Sequence, residues 1–199
     1  MIYISYYTKN TPYETVMENC LLRTLNQWNL EYDIEGIDDR GSWQRNTGYK
    51  CEFIKKMLLK HNQPVVFLDS DALVIRNPIL FDDLGEYDIA FHWLDWYLQW
   101  RGQERRDKRE LLSGTMMFSP TITTFDLLED WINAVKNNPD VWEQRVLQKI
   151  VEKNEKFINI YNLPAEYCAV ILHNRKIPSY IKFPVIVHTQ ASRKYKHRK

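Results

Sequence analysis

VVFLDSDALVI, residues 65–75, is an apolar run interrupted by two aspartates one residue apart. In an extended chain successive side chains alternate between faces, so Asp69 and Asp71 point one way and Ser70 the other. Two carboxylates converging at the exit of a buried strand repel each other and lose hydration, a cost relieved by a cation between them. A divalent metal is the simplest candidate.

Outward from this stretch, strand and helix patterns alternate. Residues 2–7 read as a strand, and TKNTPYETVMENCLLRTLNQW (8–28) as a turn, then a helix with proline near its start. EYDIEGI (31–37) is a second strand, DDRGSWQRNTG (38–48) a polar loop, and YKCEFIKKMLLKH (49–61) an amphipathic helix leading through Pro64 into VVFLD. Downstream, strands are predicted over 87–91, 111–120, 157–164 and 183–190, with helices over 123–138 and 140–153. Such alternation implies a mostly parallel sheet covered by helices on both faces, and ligands bind such sheets outside the carboxyl ends of the strands. Asp69 and Asp71 lie at such an end.

A chain of 199 residues with 44% hydrophobic and 14% aromatic content suits one domain with a substantial core. Its net charge of +1 hides an asymmetry: eight of 27 cationic residues follow Glu166 and no acidic residue does. The remaining 19 face all 26 acids, so the carboxyl end is the anion-seeking end. Cys20, Cys51 and Cys168 are odd in number, far apart and in no metal-ligand spacing, so neither a disulfide framework nor a zinc site is indicated and a reducing cytoplasm fits best. No segment approaches the roughly 20 apolar residues that span a bilayer, though peripheral membrane contact stays open.

The order YISYYT (3–8), YKCEFIKKML before VVFLDSDALVIRNP, SGTMMFSP (113–120), WEQRVLQ (142–148) and VIVHTQASRKYK (185–196) resembles a GT-A glycosyltransferase. These are the nucleotide-diphospho-sugar transferases with a DxD motif, and the resemblance covers nearly the whole chain. It implies a single Rossmann-like GT-A domain over residues 1–199, α/β in class, that moves a sugar from a nucleotide diphosphate to an acceptor hydroxyl.

By the same resemblance Asp69, Asp71 and His188 hold Mn²⁺ or Mg²⁺ against the diphosphate of a UDP-sugar, the imidazole favouring Mn²⁺. His188 and Lys194 are similar to the ends of the family's HxxGxxK, with Ala191 where glycine is expected. Donor contacts are expected from Tyr6, Tyr7, Thr8, Arg45, Lys50, Asp69, Ser70, Gly114 and Lys194, and Thr115 borders the donor sugar. Glu143 and Gln144 stand where related enzymes carry Asp-Gln and are expected to act at the reacting carbon, with retention of configuration. Asp95, beside His92, is a further catalytic candidate.

The acceptor stays open between a glycan, a protein and a hydroxymethylated base in phage DNA. Trp93, Trp96 and Trp100 fit one helical stripe, which reads equally as core or as a ligand platform. Trp43 raises the same question. Arg101, Arg105, Arg106, Lys108 and Arg109 suit phosphate contact but are diluted by Glu104, Asp107 and Glu110. A sugar-nucleotide hydrolase, a nucleotidyltransferase and a non-catalytic binding module are the competing functions; the glycine-rich loop of nucleotidyltransferases is missing.

Overall fold

A computed structural model describes residues 1–95, 109–172 and 176–195. The chain opens with β1 (Ile2–Thr8), then α1 (Pro12–Met17), a π-helical turn (Glu18–Leu22) and α2 (Arg23–Gln27). The Thr11 side chain caps α1 by accepting from Tyr13 N, and Pro12 sits in the first turn, where its missing N–H leaves no bond unmade. After β2 (Tyr32–Ile37), the expected polar loop contains a helix, α3 (Trp43–Gly48), because Ser42 Oγ accepts from Arg45 N at 3.2 Å and starts it. Next come α4 (Lys50–His61), β3 (Val65–Leu68) and β4 (Ala72–Val74). Beyond them lie β5 (Ile89–Asp95), β6 (Arg109–Phe118), α5 (Ile122–Asn137), α6 (Glu143–Asn154), β7 (Ile160–Asn162), β8 (Ala169–Val170), β9 (Ile186–His188) and α7 (Ser192–Tyr195).

Six strands form the central sheet in the order β2-β1-β3-β6-β5-β7. All pairings are parallel except the two made by β6, so β6 alone runs against the others. The period-two pattern sorts the core into two layers. Ile2, Ile4, Val65 and Phe67 face α4, α5 and α6, packing on Phe53, Leu128 and Leu147. Tyr3, Val66 and Leu68 face the other way, onto Met17, Leu21 and Leu25 of the amino-terminal helix and onto β4 and β9. Each large apolar side chain buried this way contributes about 1.5–3 kcal/mol.

A smaller sheet, β4-β9-β8, brings the carboxyl end of the chain to the exit of β3, with Ala72 opposite His188. The Asp69-Ser70-Asp71 step is therefore not extended as the sequence predicts. Ala72 N donates to Asp69 O at 2.9 Å and closes a turn between β3 and β4. The second irregularity is a bulge in β6. Phe91 pairs with Met116 but His92 with Leu112, which leaves residues 113–115 without partners on β5.

The predicted tryptophan stripe is corrected at its first member. Trp93 lies in β5 opposite Leu111, packs on the core, and carries the Arg109 guanidinium 3.9 Å over its ring. Arg109 also pairs with Glu155 at 2.9 Å, so it is committed within the protein. Trp96, Trp100 and the other basic residues of that cluster lie outside the described residues. Among the described residues no helix is long and apolar enough to cross a membrane.

Candidate active site

The β3–β4 turn, the β6 bulge and the end of β9 meet at one point. Asp69, Asp71 and His188 each place one ligand atom within 4.8 Å of the others. Asp71 and His188 are buried, whereas the Asp69 side chain is 42% exposed. His188 Nδ1 lies 3.4 Å from Asp71 Oδ1, and its Nε2 lies 2.8 Å from Thr115 Oγ1. A hydroxyl on one ring nitrogen orients the other toward the carboxylates.

The opposite carboxylate oxygen of Asp71 accepts from Ala191 N at 2.8 Å. This contact depends on Gln190, whose φ of 60° places it in the left-handed region and makes the tight turn after β9 without the expected glycine. Gly114 completes the setting. A Cβ there would stand 2.9 Å from His188 Cε1 and 3.2 Å from Asp69 Oδ2, so only glycine fits.

The charge in this cluster is unbalanced. Burial raises the Asp69 carboxyl above its usual range, with Asp71 and Glu143 adding to the effect and Lys50 and His188 opposing it. Burial also works against charge on Asp71 and His188, but neighbouring groups outweigh it. Asp71 is lowered by His188 and by backbone N–H groups of Ala191 and Gln190, and His188 is pushed up to about 10 beside Cys168 and Asp71. An imidazole and two carboxylates oriented toward one point fit a divalent cation such as Mn²⁺ or Mg²⁺, which would take the place of the proton on His188.

Beside the cluster, Lys50 at the start of α4 is only 2% exposed. Its Nζ lies 3.0 Å from both Asp69 Oδ1 and Glu143 Oε1 and donates to Ser113 O and Ser113 Oγ at 3.1 Å. Although burial pulls the other way, Asp69 and Glu143 hold its pKa above the ordinary lysine range. Ser113 Oγ also donates to Glu143 Oε1 at 3.0 Å, and Trp131 Nε1 donates to Glu143 O at 3.1 Å. Gln144 Oε1 accepts from Ser113 N at 3.0 Å while its Nε2 donates to Glu110 Oε1 at 2.7 Å. Glu143 is 1% exposed, and its Oε2 is buried without a hydrogen-bond partner.

These groups line a cavity of about 660 Å³, within the range typical of small-molecule sites. Tyr6, Tyr7, Thr8, Lys50, Ser70, Gly114, Glu143 and Gln144 border it together with the three candidate ligands. Tyr6 nevertheless directs its hydroxyl away, donating to Asn46 O at 2.9 Å and Thr47 O at 3.1 Å. Tyr7 lies across Gly36, where a Cβ would stand 3.0 Å from its ring. Four expected residues do not line the cavity; Thr115 is fully buried and turned to His188, and the other three are exposed. Arg45 is exposed on α3, Asp95 is exposed at the end of β5, and Lys194 is exposed on α7 with its Nζ 5.0 Å from the Tyr195 ring. Arg193 and Tyr195 of the same turn line the cavity instead. His92 holds Leu163 O through Nδ1 at 2.8 Å and serves the fold.

Ser113, Glu110, Asp39, Tyr13 and Trp142 also line the cavity and carry no motif of their own. Ser113 had one signal, its place directly before Gly114.

Two outcomes follow from this geometry. Gly114→Ala displaces His188 and lowers Mn²⁺ affinity by about 10–100-fold, measured by calorimetry, as expected when ligand orientation is lost. Lys50→Met leaves the Glu143 carboxylate buried and unpaired and costs about 3–5 kcal/mol in urea unfolding, while Lys50→Met/Glu143→Leu recovers most of it. The half-open contact to Asp69 adds little to that figure.

A sequence profile of the family described as nucleotide-diphospho-sugar transferase matches residues 19–199. No curated protein matches the sequence. Among solved structures, a glycosyltransferase involved in glycosylation of the major capsid of PBCV-1 superposes with a TM-score of 0.65 at 14% identity, covering 95% of this chain and 92% of that one. Mouse xyloside xylosyltransferase 1 gives 0.60 at 11% identity, over 96% and 99%. The galactosyltransferase LgtC, solved with donor and acceptor sugar analogues, gives 0.51 at 12% identity, over 94% and 86%. At such identities the likeness establishes the fold, and the profile establishes the family: the chain belongs to the nucleotide-diphospho-sugar transferases and has the GT-A glycosyltransferase fold.

Proposed function

We propose that this chain is a metal-dependent glycosyltransferase that moves a sugar from a UDP-sugar to an acceptor hydroxyl with retention of configuration. The observation that carries this reading is the meeting of Asp69, Asp71 and His188 with the buried Lys50–Glu143 pair in one cavity at the carboxyl ends of the strands. Residues 1–199 act as one domain on this reading, since β1 and β9 both contribute.

A divalent cation held by Asp69, Asp71 and His188 supplies Lewis acidity to a leaving diphosphate. The chain's own groups do the rest. Lys50 fixes Asp69 and Glu143 relative to each other through two 3.0 Å contacts, and the Gly114 gap lets His188 approach both aspartates. Arg193, on the cavity wall with Nη1 donating to Ile171 O at 2.9 Å, adds positive charge for phosphate. The base lies near Tyr7 and Thr8, at the end of β1.

An inverting enzyme needs a carboxylate free to take the acceptor proton. Glu143 Oε1 is occupied by Lys50 and Ser113, and both ends of the Gln144 amide are engaged. This arrangement favours retention. The acceptor is a glycan or a modified base in DNA, and the protein works in the cytoplasm.

A donor screen by mass spectrometry, with Mn²⁺ and with EDTA, tests the proposal. The expected result is UDP release and sugar transfer only with metal, and at least 100-fold less with Asp71→Asn, in line with the loss of a principal electrostatic stabiliser of the transition state. Full turnover in EDTA or in Asp71→Asn would overturn it. The anomeric proton of the first-formed product, followed by NMR, matches the donor's configuration if transfer is retaining.

A further inference from the structure

Five of the tryptophans are described, and they divide sharply. Trp28, Trp93 and Trp131 pack into the hydrophobic core, and Trp28 and Trp131 direct their indole N–H groups to Val74 O and Glu143 O. Trp43 and Trp142 belong to none of the core clusters, are half-buried, and line the cavity. Their ring centroids stand 6.0 Å apart with planes inclined at 49°. They come from separate elements, Trp43 opening α3 and Trp142 capping α6.

We propose that Trp43 and Trp142 form the acceptor platform, taking a pyranose ring against their accessible indole faces. This rests on the sugar-transfer reading above and names the acceptor as a neutral glycan. An indole offers a flat, polarisable surface to the C–H face of a sugar, while neighbouring polar groups take its hydroxyls. Such groups are present: Gln44 follows Trp43 and borders the cavity with Glu110 and Asp39. A sugar on Trp142 is thereby set beside Glu143 and Gln144, where an acceptor hydroxyl must arrive.

The charge of the lining selects between acceptors. Among the described residues, besides the two aspartates of the cation cluster and the Lys50–Glu143 pair, the cavity carries Asp39 and Glu110 against Arg193. Carboxylates accept bonds from neutral hydroxyls and repel a nucleic-acid strand, whose binding is dominated by its phosphates. The described wall favours a neutral glycan over a polyanionic strand.

Intrinsic fluorescence of the full chain, saturated with Mn²⁺ and UDP, is titrated with methyl glucoside, galactoside, mannoside and rhamnoside, and with lactose. The expected result is a saturable change with at least one saccharide, weakened about tenfold or more by Trp142→Ala and by Trp43→Ala and largely kept by Trp142→Phe, as loss of an aromatic stacking surface requires. UDP affinity, from calorimetry, stays within about twofold of wild type in each variant, a change too small to count on the affinity scale. No response to any saccharide, or one that both alanine variants retain, overturns the platform. A matching loss of UDP affinity overturns it too, assigning the indoles to the nucleotide. Binding of a short single-stranded oligonucleotide through these tryptophans, with no saccharide response, overturns it in favour of base stacking. Failure of the wild-type chain to bind UDP counts against the transfer reading instead, and the titrations repeated without nucleotide separate the two.

Discussion

The Lys50 ammonium is the point on which the rest of the site depends. Three stretches of chain that share no secondary structure end at it: Asp69 after β3, Ser113 in the β6 bulge, and Glu143 at the start of α6. Burying Lys50 and Glu143 together is tolerable because each neutralises the other and Ser113 bonds to both, at Lys50 Nζ and Glu143 Oε1. That requirement fixes where α6 begins relative to the sheet, and so where Gln144 and Trp142 stand. It also fixes Asp69, one of the three candidate cation ligands.

The β6 bulge is the backbone counterpart of this charge arrangement. Three residues without partners on β5 let Ser113 reach Lys50, let Gly114 O accept from Asp69 N at 2.8 Å, and let Thr115 reach His188 at 2.8 Å. A regular strand would send alternate side chains to opposite faces and could not serve all three. The single antiparallel strand of the sheet is thus the one that knits the cation cluster to the Lys50 network.

Much of this was legible in the residues, for reasons that can be named. The β3 run, the amphipathic α4 and the paired aspartates are local patterns, and local patterns survive folding when a buried face enforces them. The convergence of Asp69 and Asp71 was read through strand alternation, whereas a turn closed by Ala72 N brings them together. Trp93 satisfied helical spacing with Trp96 and Trp100, yet cross-strand pairing with Leu111 keeps it in β5. Polar composition hid α3, because its cap is one serine. Arg45 and Lys50 looked interchangeable as cations near the donor; the difference is that Lys50 lies on the face of α4 turned to the sheet and Arg45 on the outer side of α3. Ser113 and Glu110 acquire roles only through partners 30 and 34 residues away, which no spacing rule records.

His188 and Asp71 are 117 residues apart in sequence, and they meet because β9 lies down beside β4. Contacts of such separation form late, after the loop between them has closed. The strand pairing of the larger sheet and the contacts of Lys50 come from residues before β9, whereas the imidazole comes only with β9, which also packs Ile186 against Val66 and Leu68. The fold thereby makes the docking of β9 on β4 a condition for assembling the cation cluster.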